Sequence, residues 1–302
     1  MIVLSLFDGM SAAQQALKEL GVPITRYYAS EIDNYAMQIT SKNFPNTIQL
    51  GNVQGVEVKH LSLVPDLIVA GSPCQDLSFA GKGKGLAGER SGLFFEAIRI
   101  IKEARALNPN VKVLIENVKM KQEHMDTMTD ALSEALGERV TPQLLNSRLV
   151  SAQNRQRLYW YNWETIEEPE DKGILLKDIL EDGYVDRDKS YCIDANYYKN
   201  GNLKSYFQKR RRQLKFKDSS SFDNYSILSV RECERLQTFP DGYCDGVVSR
   251  TQAYKMLGNS FTVEMIKCIL SPIVEELEDG ASDIDNAYGY HNATVDPRNI
   301  EE

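Results

Sequence analysis

The alternation of short strand-like runs with helical repeats through the first half of the chain constrains the fold most. Ile2–Phe7 reads as a buried strand, Thr25–Ser30 as a second, Asp66–Ala70 as a third and Val111–Ile115 as a fourth. Helix-forming stretches lie between them: Ser11–Leu20, stopped by Gly21 and Pro23; Asn34–Asn43; and Leu93–Ala106, whose Leu93, Phe94, Ala97, Ile98 and Ile101 fall on one stripe. Repeated β-α-β alternation predicts an α/β fold with a parallel sheet covered by helices on both faces. In such sheets ligands sit outside the carboxyl ends of the strands.

That rule selects residues. Directly beyond the four strand ends stand Asp8-Gly9, Glu31, the run Gly71-Ser72-Pro73-Cys74-Gln75, and Glu116-Asn117. Taken singly, each has an ordinary reading: a turn glycine, a solvated carboxylate, a small buried thiol. Together they outline one site on one edge. After Trp163 the pattern degrades until about Ser226, and helical periodicity resumes with Val230–Leu236 and Tyr254–Ser271.

Length and charge bear on the partner. A chain of 302 residues with 42% hydrophobic content has material for one or two domains. Its formal charge of -8 argues at first against nucleic acid. However, residues 275–302 hold nine acids and one Arg, so residues 1–274 balance at 34 cations against 34 anions. Within that neutral body, Ala195 to Lys217 carries Lys199, Lys204, Lys209, Arg210, Arg211, Arg212, Lys215 and Lys217 and no acid. Tyr197, Tyr198, Tyr206, Phe207 and Phe216 interleave with them, a mixture that suits phosphate contacts and base stacking, or else a solvated face.

Other classes recede. The five cysteines form no CxxC pair and the three histidines no ligand spacing, so no metal site or disulfide framework is expected. The start lacks a basic leader and no run approaches the roughly 18 apolar residues of a membrane span. An intracellular, cytoplasmic protein with reduced thiols is the expectation.

The site residues suggest chemistry. In Phe7-Asp8-Gly9-Met10 a strand turns into a helix, so backbone amides can face a polar ligand beside an aromatic wall. One glycine rather than three argues against a bound pyrophosphate. Glu31 follows Gly9 by 22 positions at the end of the next strand, where a carboxylate accepts hydrogen bonds from ribose hydroxyls. An adenosine-containing cofactor without a pyrophosphate fits both. Cys74, on a polar loop flanked by glycine just past a strand, is placed as a nucleophile rather than as core.

With Glu116-Asn117-Val118 and Gln153-x-Arg155-x-Arg157 added, the chain resembles the cytosine-5 DNA methyltransferase family, from Ile2 to about Ile269. Phe7-Asp8-Gly9 is similar to the family's cofactor loop, in the Phe-Asp-Gly variant of some phage, bacterial and mammalian de novo enzymes. Arg231-Glu232-x-x-Arg235-Leu236-Gln237-x-Phe239-Pro240 and Gly258-Asn259-Ser260 are similar to its last two blocks. Asn52-Val53 stands at the adenine contact, where Asp is usual; the Asn carbonyl still offers an acceptor to an exocyclic amine.

The resemblance implies a Rossmann-like, S-adenosylmethionine-dependent methyltransferase sheet with a smaller target-recognition domain. The catalytic domain would comprise residues 1–162 and about 250–274, the recognition domain about 163–249, and 275–302 an acidic, disordered tail. Catalysis would fall to Cys74 as nucleophile, Glu116 at the N3/N4 edge of the base, Arg157 at its O2, and Arg155 bracing the nucleophile loop or a phosphate. S-adenosylmethionine, leaving as S-adenosylhomocysteine, would be held by Phe7, Asp8, Gly9, Met10, Glu31, Ile32, Asn52, Val53, Ser72, Pro73, Asn259 and Ser260. No metal is implied. Double-stranded DNA, bound by a monomer, would meet Gln75, Ser78, Lys82, Lys84, Arg210, Arg211, Arg212 and Arg231. A tRNA substrate, or a catalytically silent DNA-binding protein, are the competing readings.

Overall fold

The computed structural model describes residues 1–72, 92–199 and 202–287. β1 (Ile2–Leu6), β2 (Arg26–Ser30), β3 (Ile48–Gln49), β4 (Leu67–Ala70) and β5 (Lys112–Val118) run parallel. β6 (Gln143–Asn146) and β7 (Gln156–Tyr161) complete a seven-stranded sheet in the order β3-β2-β1-β4-β5-β7-β6, with β7 antiparallel to both its neighbours. The chain moves outward from β1 to β3 and then returns to the other side of β1 as β4. The crevice at the carboxyl ends of β1 and β4 is therefore the topological switch point.

Both faces of the sheet are buried, as the apolar runs require. Val3, Leu67 and Val69 point into one cluster with α1 (Ala12–Glu19) and α8 (Val263–Ala287). Their neighbours Leu4, Leu6, Ile68 and Ala70 point into the other, beneath α3 (Gly92–Leu107) and α4 (Gln122–Leu136). This is the two-residue alternation of a strand. α2 (Asn34–Asn43) starts at Asp33, whose carboxylate accepts the Tyr35 amide.

Three sequence expectations change. Glu116 and Asn117 do not lie beyond a strand end; they are inside β5, and Glu116 pairs with Tyr159 of β7. The helix expected over Tyr254–Ser271 is two: α7 (Arg250–Asn259) stops, Ser260 turns extended, and α8 begins at Val263. The break frees the Ser260 carbonyl, which takes a hydrogen bond from Arg155. The acidic stretch begins as helix: the backbone of α8 continues past Pro272 to Ala287, and residues 288–302 lie outside those described.

The segment after β7 holds α5 (Leu203–Lys209), the two-stranded β8 (Leu214–Phe216) and β9 (Tyr225–Ile227), and α6 (Val230–Leu236). Of the aromatics interleaved with its cations, Tyr197, Tyr206 and Phe216 are buried. They form core rather than a stacking surface; Phe207, at 48% exposure, faces outward. These buried rings join the same apolar cluster as α7 and α8, so the smaller part shares its core with the sheet domain.

Candidate active site

The β1–α1 loop alternates left-handed residues, Phe7 (φ 57°), Gly9 (φ 60°) and Ser11 (φ 61°), with Asp8 and Met10. Two of the three carry a Cβ, so the conformation has to be held from outside. The Asp8 amide donates to the Ser30 carbonyl at 3.1 Å, the Gly9 amide to Glu31 Oε2 at 2.8 Å, and the Tyr243 hydroxyl to the Met10 carbonyl at 2.8 Å. The Asp8 side chain turns inward, accepting from the Ser11 hydroxyl and, at 2.8 Å, from Tyr27. Burial pushes its pKa up to about 6 despite those donors. Asp8 and Met10 are thus buried supports of the loop, whereas a Cβ built on Gly9 would meet nothing within 4 Å.

Glu31 closes the cradle. Its carboxylate accepts from Gly9, Ile32 and Asp33 amides, three of about four lone-pair positions. Ile32 beside it is 70% exposed, an apolar surface next to an acceptor. Asn52 caps the short turn Val53–Gly55 by accepting the Gln54 amide at 3.1 Å, so its carbonyl is shared with the backbone. Val53 is buried. Open space at Gly9, one remaining acceptor on Glu31 and the exposed Ile32 fit an adenosine-bearing cofactor.

Across the switch point, Asn117 donates to the Ser72 hydroxyl at 3.0 Å and so fastens the end of β4 to β5. A Cβ on Gly71 would sit 2.8 Å from the Phe261 ring, so any larger residue here has to displace that ring. Pro73, Cys74, Gln75, Ser78, Lys82 and Lys84 follow from this anchored point and lie outside the described residues.

Glu116 and Arg157 share one face of the β5–β7 pair, because Glu116 is registered with Tyr159, two residues from Arg157. Arg157 Nε stands 2.9 Å from Glu116 Oε1, with side-chain exposures of 14% and 11%. Burial raises the Glu116 pKa and outweighs the opposing pull of Arg157 and Arg155. Arg155, expected to brace the nucleophile loop or a phosphate, has its hydrogen-bond partners elsewhere among the described residues. It is 3% exposed and donates to the carbonyls of Ile193 (3.3 Å), Gly258 (3.4 Å) and Ser260 (2.7 Å). It therefore ties the segment after β7 to the α7–α8 break. Asn259 is exposed at that break and Ser260 half-buried.

The residues expected on DNA are differently placed. Arg210 is exposed at the left-handed end of α5, and Arg211 pairs with Asp194 at 3.1 Å. Arg212 is half-buried with φ 60°. Arg231 is engaged by Glu181 at 3.1 Å and Asp245 at 3.5 Å, so a phosphate there would compete with two carboxylates. Lys215 is held by Asp182 and the buried Glu232, and the exposed cations Lys199, Lys204, Lys209, Arg210 and Lys217 are left as the outward charge among the described residues. Sequence reasoning missed Gln153, Gln237 and Cys192, which carry buried hydrogen bonds around Arg155. Gln153 and Gln237 sat inside the quoted motifs; Cys192 sits in none.

Sheet order, antiparallel β7 and a loop-plus-carboxylate cradle at the switch point define a Rossmann-like methyltransferase fold. The chain belongs to the C-5 cytosine-specific DNA methylase family, whose model matches residues 1–168 and 160–275. It is 38% identical over 163 residues to the orphan methyltransferase M.SPRI of Bacillus phage SPR, a match spanning 52% of this chain and 36% of that protein. It is 28% identical over 326 residues to the Type II methyltransferase M1.ScrFI of Lactococcus lactis subsp. cremoris, spanning 91% of this chain and 78% of that protein. Among solved structures, the Entamoeba histolytica methyltransferase EhMeth superposes with a TM-score of 0.72 at 16% identity, covering 92% of this chain and 98% of that one. A putative DNA modification methyltransferase from an E. coli prophage gives 0.65 at 16% identity, covering 92% and 99%. At such identities the likeness is one of fold. Among the described residues no helix is long and apolar enough to cross a membrane, and no group of three or more candidate metal ligands occurs.

Proposed function

We propose that the protein methylates C5 of a cytosine in duplex DNA, with S-adenosylmethionine as donor. The buried Glu116–Arg157 pair, 2.9 Å apart and across the switch point from the Gly9–Glu31 cradle, is the observation that carries the reading. Cytosine C5 is a poor nucleophile. The Cys74 thiolate adds to C6, the electron pair of the C5=C6 bond moves toward C5, and Glu116 holds a proton toward N3 as charge builds there. The raised pKa of Glu116 favours that protonated form. Arg157 faces O2 and offsets the developing negative charge. S-adenosylmethionine, its adenosine part held by Gly9, Glu31 and Ile32, would supply the electrophilic methyl group to which C5 bonds, the sulfonium S–C bond breaking so that the neutral thioether S-adenosylhomocysteine leaves. Loss of the C5 proton and departure of the thiolate restore the double bond.

C5 and C6 are not accessible to a side chain within a stacked duplex, so the base must leave the helix. Gln75 and Ser78 would then contact the DNA around the extruded base, and Lys82 and Lys84 its phosphates. Residues of about 163–249 would read the sequence, their exposed Lys204, Lys209 and Arg210 meeting phosphates.

The test is labelled methyl transfer to duplex DNA and tRNA side by side, followed by bisulfite sequencing of the DNA. Label in DNA at a fixed short sequence is expected, together with a covalent complex on 5-fluorocytosine DNA. Label in tRNA alone would overturn the DNA assignment, and turnover without the covalent complex would overturn the Cys74 mechanism.

A further inference from the structure

Cys192 lies between β7 and α5, outside every motif that defined the site. Its sulfur nevertheless accepts a hydrogen bond from Arg155 Nη1 at 3.3 Å and stands 3.9 Å from Arg157 Nη2. Arg157 in turn reaches Glu116 through Nε at 2.9 Å. One sulfur from the recognition segment therefore touches both guanidinium groups, and one of them touches the catalytic carboxylate.

Charge gives the contact its significance. Two guanidinium groups and one carboxylate leave an excess positive charge in a buried cluster, which is costly without a further anion or acceptor. The charged and titratable groups facing Cys192 are Arg155 and Arg157, with Glu116 on β5 behind Arg157 and the buried Tyr159 phenol beside Glu116. Burial works to raise the Cys192 thiol, but the two arginines outweigh it and hold its pKa below the ordinary cysteine value. With Glu116 ionised, as before the base binds, a Cys192 thiolate makes the cluster neutral. As a thiol it still accepts from Arg155 while donating to the Ile193 carbonyl at 3.5 Å.

We propose that Cys192 is a positioning residue for methyl transfer: its sulfur is the acceptor by which the recognition segment fixes Arg155 and Arg157 in register with Glu116. The inference rests on the methyltransferase reading of the site. It links the seating of the recognition segment to the arrangement of the catalytic arginines, since displacing residues 192–193 removes acceptors from Arg155 and Arg157 together.

Two substitutions separate this role from simple packing. Cys192→Val keeps an apolar side chain and loses the acceptor; Cys192→Ser keeps an acceptor and places a hydroxyl in the same setting. Positioning predicts that Cys192→Val lowers kcat by roughly 10- to 100-fold, the scale of an ångström-sized misplacement, with KM for S-adenosylmethionine unchanged. Cys192→Ser should recover most of that loss. The reverse order, valine active and serine impaired, would show the cysteine to be a packing residue and overturn the proposal.

A second measurement needs no turnover. Alkylation of Cys192 by iodoacetamide, followed against pH by peptide mass mapping, should have its midpoint raised by about one pH unit in Arg157→Gln relative to wild type. An unchanged midpoint overturns the proposal whether or not the wild-type protein methylates DNA. A raised midpoint with no methylation by the wild type strikes the functional reading alone.

Discussion

Arg157 approaches Glu116 through Nε, at 2.9 Å, rather than through the paired Nη atoms of its fork. One terminal nitrogen lies toward Cys192 and the other donates to the Gln156 carbonyl at 2.7 Å. The carboxylate thus has a cation fixed at its side by contacts that Arg157 makes elsewhere. Glu116→Gln keeps the shape and removes the proton-holding group. Methyl transfer in single turnover should fall by about 10²- to 10⁴-fold, the range of a general acid or base, while S-adenosylhomocysteine affinity by calorimetry stays within a factor of two or so of wild type. Comparable losses in both would show that Glu116 supports the fold of the crevice and not the chemistry.

The Asp8 carboxyl supplies a pH-dependent term of known sign. Its pKa rises on folding, from the ordinary 3.8 to about 6, because the carboxyl is buried within the β1–α1 loop. A carboxyl raised in this way holds its proton more firmly in the folded state, so stability falls as pH increases through the window from about 4 to 6. The full cost at neutral pH is of order 3 kcal/mol. Asp8→Asn removes the ionisation. In urea unfolding, the stability of wild type relative to the variant should drop by roughly 2–2.5 kcal/mol between pH 4 and pH 7. An equal difference at both pH values would mean that the carboxyl does not titrate in that window.

How legible the molecule was in its sequence depended on what kind of information each part needed. The strands β1, β4 and β5 were readable because strands buried on both faces are continuous apolar runs, and their order along the chain then located the site. The two-residue β3 has no period to detect, and β7 became recognisable only through its pairing with β5. Motif positions were readable, but side-chain directions were not: Asp8 is buried and accepts from Ser11 and Tyr27, in a loop whose Phe7 adopts φ 57°, neither of which residue spacing reveals. Tyr206 and Phe216 looked like stacking residues among cations, yet α5 and β8 turn them into core. Cys192 was beyond reach altogether, since its partners Arg155 and Arg157 are 37 and 35 positions away and meet it only after the recognition segment folds back on β7.

Gly258 marks the place where that fold-back is tightest. A Cβ there would lie 2.2 Å from the Asp194 carbonyl carbon and 2.5 Å from the Ala195 nitrogen, both backbone atoms that cannot rotate aside. Gly258→Ala should therefore push residues 192–195 off Arg155, costing about 1–3 kcal/mol by overpacking and lowering methyl transfer by more than the stability loss alone explains. Thermal unfolding together with activity measured well below the transition checks both parts. An alanine variant with wild-type activity and melting temperature would show that the backbone at 194–195 has slack at this contact.

Asn52 supplies the last prediction. Its carbonyl already accepts the Gln54 amide at 3.1 Å, so one side-chain oxygen serves both the turn and any adenine amine, and the Nδ2 group donates to Gln54 Oε1 at 3.2 Å instead of accepting. Asn52→Asp would leave one oxygen on the cap and turn the other into a charged acceptor. Hydrogen bonds to charged groups exceed neutral ones by about 1 kcal/mol, so S-adenosylhomocysteine should bind roughly 5-fold more tightly to the variant. Unchanged or weaker binding by calorimetry would place the adenine amine away from residue 52 and leave Asn52 as a turn cap alone.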